Sequence, residues 1–328
     1  MLFRSAFTYW NATKAQHQTY VQYVGVTNTI RDKRHNPDDN TFEIGHLAKM
    51  KPSVPAVSTD SSSSSDGSNS TDAINSYAIA SVYSELFPQG PGARLFYHAQ
   101  NGTHNYLQEM IWNLANDTWT YGATIDGALP TSHIAMVVDE PNAVVRLMFA
   151  SNSGNADDTK AAPQLQEYFL MLNSPTATWT KGQSRSNLLQ NSWSQFALAA
   201  GGGTSYLYHV TPLNASTNVM QIQELALPNA NSTDDISTAT AETVAVPDWA
   251  STDTGGRVQS MFTPVGAVAG AGYMNVFFAH GVVDARAGYT KLSYVKRGFG
   301  VGWGATENSS GQGLNDLPLV DKCVKPDI

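Results

Sequence analysis

Apolar and polar residues alternate along most of the chain in runs of five to eight, and Gly, Asn, Asp, Ser and Pro separate the runs. A side-chain period of two is that of a half-covered β-strand, and the separating residues are those of turns. Helical periodicity is scarce, so an all-β architecture is expected. One order of runs recurs. Residues 94–99 read Arg-Leu-Phe-Tyr-His-Ala, 107–112 read Leu-Gln-Glu-Met-Ile-Trp, and 118–122 read Thr-Trp-Thr-Tyr-Gly. The order returns as Arg-Leu-Met-Phe-Ala at 146–150, Leu-Gln-Glu-Tyr-Phe-Leu at 165–170 and Thr-Trp-Thr-Lys-Gly at 178–182. Trp119 and Trp179 stand about 60 positions apart, a spacing that belongs to repeated supersecondary units. Fainter copies lie at 20–24 with Ile30-Arg31-Asp32 and Phe42-Glu43-Ile44-Gly45, at 206–209 with 222–225, and at 276–280 with 292–295 and Gly302-Trp303-Gly304. One more apolar run precedes each copy, at 5–10, 77–83, 132–138, 193–200 and 258–269.

Four strands per unit and five units predict a β-propeller of four-stranded antiparallel blades, with five blades favoured and six as the alternative. The units run approximately 3–50, 73–125, 130–183, 190–248 and 256–306, within one propeller domain over 1–328. The first strand of each unit lies nearest the axis with both faces covered, so it should be small and apolar, as Ala78-Ile79-Ala80 and Phe196-Ala197-Leu198-Ala199 are. A pair of β-sandwiches would explain the strands but not the recurrence. Residues 52–72, rich in Ser with Pro52 and Pro55, read as an inter-blade loop. Gly201-Gly202-Gly203 reads as a hairpin or bulge.

Composition narrows the function classes. Of the 328 residues, 41% are hydrophobic and 14% charged, and the net charge is −8. That excludes a coiled coil, a charged disordered chain and a basic nucleic-acid-binding module. No run reaches the ~18 apolar residues that span a bilayer, and the opening residues do not read as a signal peptide. The single cysteine, Cys323, leaves no intramolecular disulfide and no paired-cysteine zinc site. The histidines show no metal spacing; His98, His209 and His280 recur because the units do. No metal and no cofactor are expected. Glycosylation acceptor patterns at Asn11, Asn69, Asn101, Asn116, Asn214, Asn231 and Asn308 favour an extracellular or cell-surface protein, with a cytoplasmic one as the alternative.

The ordered unit, Arg-x-aromatic-aromatic, then Leu-Gln-Glu or Ile-Arg-Asp, then Trp-x-x-Gly, resembles the fungal fucose-specific lectins, propellers of the type first known from the orange-peel mushroom. The resemblance covers roughly residues 3–304, although family members commonly have six blades. It implies a non-catalytic lectin that binds L-fucose or fucosylated glycans in pockets between adjacent blades. Each pocket would take an Arg, a Glu and an aromatic three places after that Glu from one blade, and a Trp from the next. Carried over, the second unit supplies Arg94, Glu109 and Trp112, with Trp179 from the third. A weaker second site keeps Arg146 and Glu167 but has Leu170 at the aromatic position, with Trp249 as the available indole. The remaining units place Thr19 with Asp32, Ser205 with Glu224, and Asn275 with Lys291, and should be weak or silent. The chemistry agrees with the set. Arg and Glu can bind neighbouring hydroxyls as donor and acceptor, and an aromatic wall suits the methyl and C–H face of a deoxysugar. The expected partners are fucosylated glycans or glycoproteins, not nucleic acid, and a homodimer is left open. Two other readings stand beside this one: a propeller glycoside hydrolase, and a protein-interaction propeller with degenerate sugar sites. The axis-lining runs are poor in acids, with Asp139, Glu140 and Glu85 at their ends, which disfavours hydrolysis.

Overall fold

The computed structural model describes residues 3–24, 30–36, 41–45, 47, 78–101, 104–129, 132–152, 163–189, 194–212, 220–230, 241–244, 263–270, 273–280 and 291–299. They form five antiparallel sheets arranged as the blades of a β-propeller. Blade one contains β1 (Phe3–Asn11), β2 (Gln16–Val24), β3 (Ile30–Asn36) and β4 (Thr41–Ile44). Blade two contains β5 (Ile79–Ser84), β6 (Gly92–Asn101), β7 (His104–Asn113) and β8 (Thr118–Asp126). Blade three contains β9 (Ile134–Asp139), β10 (Val144–Ser151), β11 (Gln164–Met171) and β12 (Thr180–Arg185). Blade four contains β13 (Phe196–Gly201), β14 (Thr204–Pro212), β15 (Met220–Leu227) and β16 (Glu242–Thr243). In the fifth sheet β17 (Thr263–Gly270), β18 (Tyr273–His280) and β19 (Lys291–Gly298) are described. Its expected fourth strand at Gly302-Trp303-Gly304 lies outside the described residues, as do the 52–72 loop, Trp249 and Cys323.

In the four complete sheets strands follow one another in chain order, and the first strand of each blade packs on the first strand of the next: β1 on β5, β5 on β9, β9 on β13, β13 on β17. Small and branched side chains allow that approach. β5 and β13 bury nearly every position, so both their faces are covered. β1 departs from this. It buries Phe7 and Tyr9 toward blade two but exposes Ala6, Thr8 and Trp10. Hydroxyl and carboxylate contacts also join neighbouring blades, with Ser5 Oγ of β1 2.7 Å from Ser81 Oγ of β5, and Ser205 Oγ of β14 donating to Asp139 Oδ2 of β9 at 2.6 Å. At the tip of the β13–β14 hairpin Gly202 and Gly203 both have positive φ, which a two-residue loop matched to the strand twist requires.

Among the described residues the core consists of four apolar clusters, each between successive sheets. Phe7, Tyr9, Tyr20 and Ile30 of blade one meet Leu95, Tyr97, Met110 and Trp112 of blade two. The opposite face of blade two, with Phe96 and Leu107, meets Val145, Leu147, Leu170 and Trp179 of blade three. Met148 and Leu165 then meet Phe196, Leu207 and Leu225, and Tyr208 and Ile222 meet Met274 and Val276. Among the described residues no helix is long and apolar enough to cross a membrane.

Two of the recurring histidines are sealed into these sheets, and burial pushes the imidazoles of His98 and His209 down from 6.5 to about 4. His98 Nε2–H donates to the Ser132 carbonyl at 2.9 Å, and its Nδ1 is buried without a partner. Between these values the unfolded chain binds protons that the folded chain refuses. Stability is therefore full above pH 6.5 and falls as the pH drops through that window. From pH 7 to pH 5 each histidine should cost about 2 kcal/mol. In urea unfolding at the two pH values, His98→Gln should shrink the acid-side loss by about that amount; an unchanged loss would refute the assignment.

Candidate functional site at the interface of blades two and three

Glu109 stands in the middle of β7, paired with Phe96 of β6, on the face turned toward blade three. Opposite it the ladder of β7 with β8 slips between Gln108 and Met110, so that Gly122 and Ala123 together face one residue. The Gln108 carboxamide pins this bulge. Its Nε2 donates to the carbonyls of Glu109 at 3.0 Å, Gly122 at 3.4 Å and Ala123 at 3.3 Å. The bulge turns the Ala123 N–H inward, and it donates to Glu109 Oε2 at 2.8 Å. The carboxylate lies so close over the strand that a Cβ on Gly122 would stand 2.3 Å from Oε2. Leu-Gln-Glu and Trp-x-x-Gly are thus two halves of one device, a seat for a buried carboxylate. Blade three repeats it. Gln166 Nε2 donates to the carbonyls of Glu167 at 2.8 Å, Gly182 at 3.2 Å and Gln183 at 3.4 Å across a slip between Gln166 and Tyr168. In blade one Gly45 lies as closely under the Asp32 carboxylate, where a Cβ on residue 45 would stand 2.3 Å from Oδ2.

Three donors from two blades meet on Glu109. Arg94 Nη1 donates to Oε1 at 2.7 Å, and both side chains are 2% exposed. Trp179, immediately before β12 of the next blade, donates its indole N–H to the same oxygen at 3.0 Å. The Trp179 ring stands edge-on to Phe96 with centroids 5.1 Å apart. Phe87 lies 5.0 Å from the Arg94 guanidinium, and Arg94 Nη2 donates to Gln89 Oε1. The site therefore joins a guanidinium, a carboxylate, an indole N–H and two aromatic walls.

Trp112 does not join them. It follows Glu109 by an odd number of residues, so strand alternation turns it to the opposite face. There its ring packs on Phe7 at 5.7 Å and on Tyr9 and Tyr20 at 5.3 Å, and its indole donates to Asp117 at 2.9 Å. The same alternation sends Leu170 toward blade two and away from Glu167.

In blade three Arg146 Nη1 donates to Glu167 Oε1 at 2.6 Å, and Arg185 Nη2 binds Oε2 at 3.1 Å. Arg185 of β12 stands three residues past Gly182, where Ile125 stands relative to Gly122 in blade two. An Arg in that apolar position is the signal that sequence reading passed over. The register also moves the Arg-equivalent position in two blades. Asp32 pairs with Gln22 and Glu224 with Tyr208, so the residue two places earlier is Tyr20 and Tyr206, not Thr19 and Ser205. In blade four the Tyr208 hydroxyl donates to Glu224 Oε2 at 2.5 Å. Among the described residues no three His, Cys, Asp or Glu side chains group as a metal site.

No protein-family model matches the chain, and no curated protein sequence does. Solved structures do. A mutant of the Aleuria aurantia lectin in complex with Fucalpha1-6GlcNAc superposes with a TM-score of 0.55 at 15% identity, over 91% of this chain and 76% of that one. The same lectin, described as a six-bladed β-propeller with a novel fucose recognition mode, gives 0.51 at 14%, over 90% and 75%. AofleA from Arthrobotrys oligospora gives 0.55 at 12%, over 95% and 71%. The chain has the fold of the fungal fucose-lectin-type propellers.

The seat itself is open to test. Gly122→Ala drives a methyl into a carboxylate that three donors hold in place, and should cost about 1–3 kcal/mol in denaturant unfolding. Gly182→Ala, whose Cβ would lie 3.0 Å or more from Glu167, should cost less.

Proposed function

We propose that the chain is a non-catalytic lectin that binds L-fucose, free or within a glycan, where blade two meets blade three. The observation that carries this reading is the convergence of Arg94 and the next blade's Trp179 on one Glu109 oxygen. A guanidinium and an indole N–H donate while a carboxylate accepts, a set that complements neighbouring sugar hydroxyls. Trp179, whose ring is backed by Phe96, supplies the apolar surface that a methyl-bearing sugar face needs. The shared fold with a lectin solved in complex with Fucalpha1-6GlcNAc supports the same class of ligand. Arg146 and Glu167 form the weaker second site, because a second guanidinium, that of Arg185, already holds the other carboxylate oxygen there.

Hydrolysis of a glycoside needs two carboxylates about 5–9.5 Å apart. Among the described axis-lining strands, Asp139 is the one acid, and it is bound by the Ser205 hydroxyl and the Asn142 amide. That supports binding without turnover. An extracellular or surface location is supported by the acceptor pattern at Asn116, which is exposed in the β7–β8 turn.

Arg94→Ala would leave a buried carboxylate without its counter-charge, at about 3–5 kcal/mol, so conservative variants read binding more cleanly. In calorimetric titration with methyl α-L-fucoside, Arg94→Lys and Trp179→Phe should each weaken binding about tenfold or more, because a hydrogen bond to a charged group is worth ~1.5–3 kcal/mol. Arg146→Lys should weaken it less. Silence of the wild-type protein on every fucosylated glycan of an array would overturn the ligand. Release of aryl alcohol from an aryl-fucoside, lost in Asp139→Asn, would overturn the non-catalytic half.

A further inference from the structure

Resting on that reading of the site, we propose that Gln89 is its gate: the Gln89 carboxamide oxygen occupies the place of a ligand hydroxyl on Arg94 and leaves when ligand binds. The Arg94 guanidinium is almost fully buried. Nη1 is engaged by Glu109, and Nη2 is the nitrogen that Gln89 covers. Gln89 itself is exposed, so it stands between Nη2 and solvent. It sits in the turn between β5 and β6, closed by the Gly90 N–H donating to the Phe87 carbonyl at 2.8 Å. The same turn sets the Phe87 ring against the guanidinium. The backbone of the turn is therefore fixed from two directions, while the Gln89 side chain can swing out by rotation about its own bonds. Its release regains rotamer entropy that the closed state gives up.

The buried Arg146–Glu167 pair shows what a gate must differ from. Arg146 Nη2 donates to a backbone carbonyl, that of Pro228 just past β15 in blade four. A carbonyl cannot swing away unless the end of its strand moves. Arg185 closes the same carboxylate from the other side. One pair is thus covered by a side chain, the other by main chain, and only the first can open at low cost. An amide oxygen is a fitting stand-in, since it is a neutral acceptor like the sugar hydroxyl that replaces it.

The test uses the full chain with Gln89→Ala and Gln89→Glu, read two ways. The first is titration with methyl α-L-fucoside. The second is modification by phenylglyoxal, followed at Arg94 and Arg146 by peptide mass spectrometry. Gln89→Ala should bind the fucoside about tenfold more tightly, the factor that ~1.4 kcal/mol produces. Its Arg94 should react faster than in the wild type while Arg146 stays protected. Gln89→Glu should bind more weakly, because a carboxylate holds the guanidinium more firmly than an amide does. Equal Arg94 reactivity in wild type and Gln89→Ala, or weaker fucoside binding by Gln89→Ala, would overturn the gate. If no protein binds any fucoside yet Arg94 becomes reactive in Gln89→Ala, the gate stands and the lectin reading falls.

Discussion

A carboxylate taken out of water must find donors for both of its oxygens, and the second blade is arranged to meet that requirement. Oε1 of Glu109 takes Arg94 and Trp179, and Oε2 takes the Ala123 N–H. Each donor demands something further. The backbone N–H is available because β8 bulges, the bulge holds because Gln108 ties down its carbonyls, and the carboxylate fits because residue 122 has no side chain. The indole donor requires blade three in register. Apolar burial between sheets supplies most of the driving force for folding, but it is non-directional. The charged cluster is the part of the interface that accepts one relative placement of the two blades.

The blades vary the solution without abandoning it. Glu167 keeps the glycine and the pinning Gln but draws its last donor from Arg185 of its own blade. Glu224 takes the hydroxyl of Tyr208, which stands where blade two has Phe96. Trp119, the counterpart of Trp179 one blade earlier, leaves its indole nitrogen buried without a partner among the described residues. The acid of blade one is Asp32, one methylene shorter than Glu. A sugar site is one outcome of such a seat, and plain structural closure is another.

Much of this is legible in the chain. The recurrence of Arg, Leu-Gln-Glu and Trp-x-x-Gly places strands close to where β6, β7 and β8 and their blade-three copies lie, because period-two alternation survives when both faces are packed. The pairing of Arg94 with Glu109 and the reach of Trp179 across blades follow from the repeat and the resemblance together. Trp112 is misassigned by the motif because counting along a strand does not by itself say which face a residue takes; its odd distance from Glu109 does. Thr19 and Ser205 fall one position early because Tyr-rich strands offer no Arg to fix the register, which only the pairing with Asp32 and Glu224 supplies. The Gln of Leu-Gln-Glu carries no expectation, since a bulge leaves no hydropathy signal.

The division of the site between neighbouring blades has a consequence for how such a protein changes over generations. The second repeat encodes the acid of its interface with the third and the third encodes the indole, so neither repeat contains the whole cluster. A duplicated repeat of this kind arrives with an acid for one interface and an indole for the other, each completed by an existing neighbour. A point change does the reverse: replacing Trp179 in the third repeat takes a donor from Glu109 in the second and leaves the third repeat's own Glu167 intact. Decay along such an array therefore runs out of step with the repeat that mutates, while an acid held by a donor of its own repeat, as Glu167 is by Arg185, is insulated from its neighbour.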